Sequence, residues 1–158
     1  IRERVLGPEH PDTLTTRNDL ASWRGRAGDA AGAVAALTEV LQIRERVLGP
    51  EHPDTLTTRN NLAYWRGRAG DAAGAVAALT ELLPIRERVL GPEHPDTLTT
   101  RNNLAYWRGR AGDAAGAVAA LTELLPIRER VLGPEHPDTL TTRNNLALLR
   151  EEAEDAAG

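Results

Sequence analysis

The stretch IRERVLGPEHPDTLTTRNNLAYWRGRAGDAAGAVAALTELLP, residues Ile43 to Pro84, recurs letter for letter as Ile85 to Pro126. The blocks on either side are near copies. Ile1 to Gln42 differs from the quoted stretch only in Asp19 for Asn61, Ser22 for Tyr64, Val40 for Leu82 and Gln42 for Pro84. A fixed period of this length marks an array in which one supersecondary unit stacks on the next, because a lone unit cannot bury its own apolar face. The chain reads as a single repeat domain, 1–158, made of units 1–42, 43–84, 85–126 and a truncated 127–158.

Inside the second unit, Pro53-Asp54 precedes a segment from Thr55 to about Ala69 that carries Leu56, Leu62, Ala63 and Trp65 and ends at Gly70. Asp54 is a good N-cap and Gly70 a good stop. Asp71 is the next cap candidate. After it, Val76, Leu79, Leu82, Leu83, Val89 and Leu90 mostly keep the 3, 4 spacing of a helical face. At a rise of ~1.5 Å per residue, helices of about 20 Å and 28 Å are expected. The unit is a helical hairpin and the fold class all-α, with four first-type helices, three complete second-type helices and a stub at Ile1 to Leu6. Pro84 falls inside the second-type helix and cannot donate to the carbonyl of Thr80, so a bend or a break costing about 3 kcal/mol is expected there. Gln42 at the same place predicts a straighter helix. Gly67 and Gly74 are expected to let neighbouring helices approach closely.

The last block changes Tyr106, Trp107, Gly109, Arg110 and Gly112 of the third into Leu148, Leu149, Glu151, Glu152 and Glu154. Losing two glycines removes helix breakers, and three acids coat a terminal surface, as an end cap requires.

Composition narrows the function. With no Phe and no Met, the core is Leu, Val, Ile and Ala, which implies closely spaced helices. All 19 basic residues are Arg. The net charge of −4 is concentrated in the last block, and no basic stripe is present, which argues against nucleic acid as a partner. Cysteine is absent, so disulfides and thiolate metal sites are excluded. The longest apolar run, Ala75 to Leu79, falls far below the ~18 residues of a membrane span. No signal peptide opens the chain, and Ile1 lies in the middle of a repeat. A soluble, cytoplasmic protein without membrane contact is expected, as an excised or engineered segment.

Asn60-Asn61-Leu62-Ala63, Gly70-Asp71, Ala75, Leu79 and the run Arg86 to Asp96 (RERVLGPEHPD) together resemble a tetratricopeptide repeat of the long, kinesin light chain-like kind. The pattern is also similar to the repeat tails of bacterial signalling NTPases. The resemblance covers the whole chain and implies an α-solenoid of tandem hairpins, a right-handed superhelix. Two positions depart from the family pattern. Arg59 and Arg66 stand where it places a large apolar residue and a Tyr. Either the first-type helix is rotated to bring Trp65 into the core, or these arginines lie at its edge and pair with Asp or Glu.

The resemblance also implies a binding surface on the inner face of the first-type helices. Transferred to this chain it comprises Asn18 and Arg26, then Thr57, Asn60, Asn61, Tyr64 and Arg68, then Thr99, Asn102, Asn103, Tyr106 and Arg110. Amides can bond a peptide backbone, Tyr offers rigid contact area, and Arg can grip a carboxylate in a bidentate fork. The expected function is a protein-interaction scaffold holding a peptide or an acidic terminus, by a monomer or by chains stacked end to end. The alternative is a consensus or designed structural array without a ligand.

The Glu51-His52-Pro53-Asp54 cluster is the most site-like tetrad, since imidazole and carboxylates bind zinc or move protons. Its recurrence at His10, His94 and His136 fits a connector better. Equivalent loops lie ~10 Å or more apart by helix-packing distances, too far to share one ion held at ~2 Å. No nucleophilic triad and no phosphate-binding glycine loop is present, so no enzyme, metal or cofactor is expected. Thr13, Thr15, Thr16 and their copies read as capping, solvated hydroxyls.

Overall fold

A computed structural model describes residues 6–157, and seven helices lie whole among the described residues. They are α1 Pro11–Arg26, α2 Ala30–Leu48, α3 Pro53–Arg68, α4 Ala72–Leu90, α5 Pro95–Arg110, α6 Ala114–Leu132 and α7 Pro137–Ala157. No strand occurs among the described residues, and the fold is the all-α solenoid class of tandem helical hairpins. The stub expected at Ile1 to Leu6 lies outside the described residues apart from Leu6. The chain forms two compact units, Ile1–Asp71 and Ala72–Gly158. In the first, α2 packs between α1 and α3; in the second, α4 packs on α5, and α6 packs between α5 and α7.

The first-type helices begin two residues earlier than expected, and Asp54 is not their cap. His52 is the N-cap, with extended backbone at φ −63° and ψ 138°, and its Nδ1 accepts the N–H of Asp54 at 3.1 Å. Pro53 explains the shift. Its fixed φ suits the first helical position, where no N–H is needed, so Asp54 falls into the first turn with its charge at the positive end of the helix dipole. His10 and His94 repeat the arrangement. Second-type helices do start on aspartate: Asp29 and Asp113 accept the N–H of Gly32 and Gly116 at 2.8 and 2.9 Å. These bonds and the adjacent Arg24 and Arg108 hold both carboxyls below the usual carboxylate range.

The glycines divide into three roles. Gly70 and Gly112, at φ 107° and 111°, terminate the first-type helices in a conformation other residues rarely adopt. At Gly25 a Cβ would lie 2.6 Å from the ring of Trp65, and at Gly109 it would lie 2.4 Å from Leu149, so this position serves close helix approach, as expected for Gly67. The role expected of Gly74 is different at its counterparts. A Cβ at Gly32 or Gly116 would strike the capping carboxylate of Asp29 or Asp113 at 2.0 or 2.2 Å, so glycine there makes room for the cap.

Proline does not break the second-type helices. α4 and α6 run unbroken through Pro84 and Pro126 and keep the 19-residue length of α2, which has Gln42 there. Pro84 and Thr80 are both exposed, so the carbonyl that loses its partner lies on the solvent side, where water can accept the role.

Both readings of the departing arginines apply. Trp65 and Trp107 are buried, while Arg24, Arg66 and Arg108 pair with Asp29, Asp71 and Asp113 at the helix edge. Leu37, Leu79 and Leu121 are fully buried at equivalent positions of α2, α4 and α6. The last helix is longer, as the loss of its glycines leads one to expect. α7 spans 21 residues against 16 for its sister helices, and Leu149 fills the space above Gly109. Glu152 departs from the expected terminal coat, because it turns back to Arg110. Leu79→Ala is expected to lower the unfolding free energy by about 2 to 5 kcal/mol through the cavity it leaves. Urea denaturation measures this, and a loss below about 1 kcal/mol would place the core elsewhere.

Candidate functional site

The polar centre of each unit is a buried arginine that sequence reasoning did not single out. Arg44, Arg86 and Arg128 are 4%, 3% and 2% exposed. Arg128, on α6, donates through Nη1 to the carbonyl of Asp138 at 3.0 Å and to Thr142 Oγ1 at 2.7 Å, both on α7. Its Nη2 donates to Thr99 Oγ1 on α5 at 3.1 Å. One guanidinium thus ties a second-type helix to both first-type helices beside it. Arg44 does the same in the first unit, bonding Asp54 O and Thr58 on α3 and Thr15 on α1. Arg86 bonds Asp96 O and Thr100 on α5. Burial pushes the Arg128 guanidinium down from its ordinary range, and the charge of Asp138 opposes this.

Of the threonines expected to be solvated caps, Thr15, Thr16 and Thr141 are exposed, whereas others are structural. Thr58, Thr100 and Thr142 are fully buried, and Thr55, Thr97 and Thr139 donate to the backbone carbonyls of Arg44, Arg86 and Arg128. Thr58 and Thr142 also donate to Asn18 Oδ1 at 3.2 Å and Asn102 Oδ1 at 3.0 Å.

This network fixes where the candidate binding residues lie. In the first unit Asn18 and Asn60 are buried, Asn18 against Thr58; Thr57, Asn61 and Tyr64 are half-buried, and Arg26 and Arg68 are exposed. Arg26 sits over the Trp23 ring, 5.0 Å from its centroid. Tyr64 meets Trp65 edge to face at 5.0 Å. In the second unit Thr99 and Asn102 are held by Arg128 and Thr142, which leaves Asn103, Tyr106 and Arg110 on the accessible face of α5. Arg110 donates through Nε to the Tyr106 hydroxyl at 3.3 Å and through Nη1 to Glu152 Oε1 at 2.7 Å. The Tyr106 bond, then the Glu152 carboxylate, raise the pKa of this guanidinium. The structure brings Asn103, Tyr106 and Arg110 together on one helix face and Asn61, Tyr64 and Arg68 on another, and it turns the first amide of each pair inward.

The His-Pro-Asp loops hold no ligand geometry, since each histidine uses Nδ1 as a helix cap. No group of three or more His, Cys, Asp or Glu that could hold a metal occurs among the described residues, and no described helix is long and apolar enough to cross a membrane.

A family model described as Tetratricopeptide repeat matches residues 1–46, 24–88 and 68–130. Among solved structures, the nearly identical TPR-like repeats of a Podosopora anserina protein described as a kinesin light chain are 28% identical, with a TM-score of 0.75 over 98% of this chain and 73% of that one. BtubC (BKLC) from P. vanneervenii is similar in fold at 23% identity and a TM-score of 0.76, covering 90% of this chain and 57% of that one. No curated protein matches the chain. Repeats of this kind are generally protein-interaction scaffolds and typically lack enzymatic activity.

Arg128→Ala is expected to cost about 3 to 5 kcal/mol in urea denaturation, because three polar partners lose their donor in a buried site. Arg128→Lys should recover less than half, since an ammonium cannot reproduce a planar fork that spans two helices. Full recovery by Lys would reduce the role of Arg128 to its charge.

Proposed function

We infer that this chain, which belongs to the tetratricopeptide repeat family, offers the accessible faces of its first-type helices to an acidic segment of a protein partner. The Arg110–Glu152 bond carries this reading. It supports a carboxylate as the natural complement of the arginine at this register, one turn beyond a tyrosine that aligns the guanidinium. Arg26 and Arg68 occupy the same register in the first unit and make no ion pair among the described residues. Arg68 lies beside Tyr64 and Asn61 on α3, so a guest carboxylate could take the fork while the tyrosine and the amide meet its backbone. The partner is a protein or peptide, and each 42-residue unit serves as one module of the scaffold.

A specific observation favours the second reading, a ligand-free structural array. Asn18, Asn102, Thr15 and Thr99 spend their polar atoms on neighbouring repeats rather than leaving them for a guest. Fluorescence anisotropy with a labelled, end-blocked peptide of Asp and Glu residues separates the two. Scaffold binding predicts at least about tenfold weaker affinity for Arg26→Ala/Arg68→Ala, the scale of a charge-assisted hydrogen bond, and tighter binding by Glu152→Gln, which frees Arg110. Equal affinity in all three proteins rejects the face, and no binding by the parent chain leaves the structural array.

A further inference from the structure

Arg101 and Arg108, which correspond to Arg59 and Arg66, border a hollow in the second unit that lies apart from the peptide face. Leu83 of α4 and Ala120 of α6 form its walls, and Leu104 and Ala105 of α5 form its floor. Its volume is about 130 Å³. The hollow is open to solvent on one side, and its volume leaves room for one branched aliphatic side chain. At about 100° per residue, Arg101, Leu104 and Arg108 lie on the side of α5 opposite Asn103, Tyr106 and Arg110.

The charge at the rim is unevenly spent. Arg108 donates to Asp113 at 3.0 Å. Arg17, the counterpart of Arg101 on α1, pairs with Glu39 at 3.1 Å, and Arg143, its counterpart on α7, pairs with Glu129 at 3.1 Å. Arg101 makes no ion pair among the described residues. Arg101 therefore stands without an ion pair beside a recess of mixed polar and apolar lining, with Glu123 at the place that Glu39 holds beside Arg17.

We propose that this hollow is a second binding site, on the other side of α5, for a protein segment in which Asp or Glu adjoins Leu, Ile or Val. The aliphatic side chain enters between Leu83, Leu104 and Ala120, and the carboxylate accepts the fork of Arg101. The two requirements discriminate, because an acidic segment without the aliphatic residue leaves the recess exposed and an apolar one leaves the guanidinium unpaired.

The test uses the whole chain and a labelled, acetylated and amidated peptide with a central Glu-Leu pair, measured by fluorescence anisotropy, beside the same peptide with Ser for Leu. The expected result is that the Glu-Leu peptide binds at least about tenfold tighter than its Ser form, and that Arg101→Glu weakens it by a similar factor. Ala120→Leu, which fills the recess, should lower the affinity for the Glu-Leu peptide to that of its Ser form, with unchanged helical circular dichroism showing that the fold persists. Arg68→Ala should leave this affinity unaltered. Absence of binding up to about 1 mM, or an affinity that Ala120→Leu leaves unchanged and Arg68→Ala lowers, overturns the proposal.

Discussion

A guanidinium taken out of water costs several kcal/mol, and a protein tolerates it only where hydrogen bonds and nearby opposite charge restore what water supplied. Arg128 meets that condition at its two terminal nitrogens without a direct ion pair, while its buried Nε has no hydrogen-bond partner. It uses two threonine hydroxyls and a first-turn carbonyl, with the carboxylate of Asp138 acting through space. Its three acceptors belong to two different helices, so both terminal nitrogens are bonded only when α5, α6 and α7 stand in one register. Leucine and alanine packing alone would permit sliding between helices of such uniform composition. The buried fork penalises any slip, because one unpaired end costs more than a lost apolar contact. Arg44 imposes the same constraint on α1, α2 and α3.

The hairpin was legible in the sequence because its signals are local. The leucine spacing, the glycines after the first-type helices and Asp71 in the cap position each act within a few residues, and the exact repetition multiplies them. The cap at His52 was not, because aspartate is the commoner cap and only the proline between them moves the boundary. That Pro84 does not break its helix was not legible, because the solvent exposure of its helix face is a tertiary property. The Arg86 series was hidden by a general expectation that arginine lies outside. A signal did exist: Arg86 follows Leu79 and Leu82 at helical spacing, on the stripe that faces the core.

The same network limits the candidate binding surface. Family pattern places a pair of amides on each first-type helix, yet a buried threonine of the following repeat claims the first of them, as Asn18 and Asn102 illustrate. What stays accessible is the second amide, the tyrosine and the last-turn arginine. Sequence identity between units conceals this division, because the residues are the same while their surroundings change. Trp23 is 63% exposed where Trp65 is 6% exposed, and Arg110 meets Glu152 at a register where Arg68 pairs with no carboxylate among the described residues. Function in such an array depends on the local neighbour as much as on the repeated letter.

If the buried fork sets the register, Arg128 and Thr142 must be energetically coupled. A double-mutant cycle of Arg128→Met and Thr142→Val, read by urea unfolding, measures that coupling directly. The account predicts an interaction energy of at least about 1.5 kcal/mol, whereas effects that add to within about 0.5 kcal/mol would contradict it.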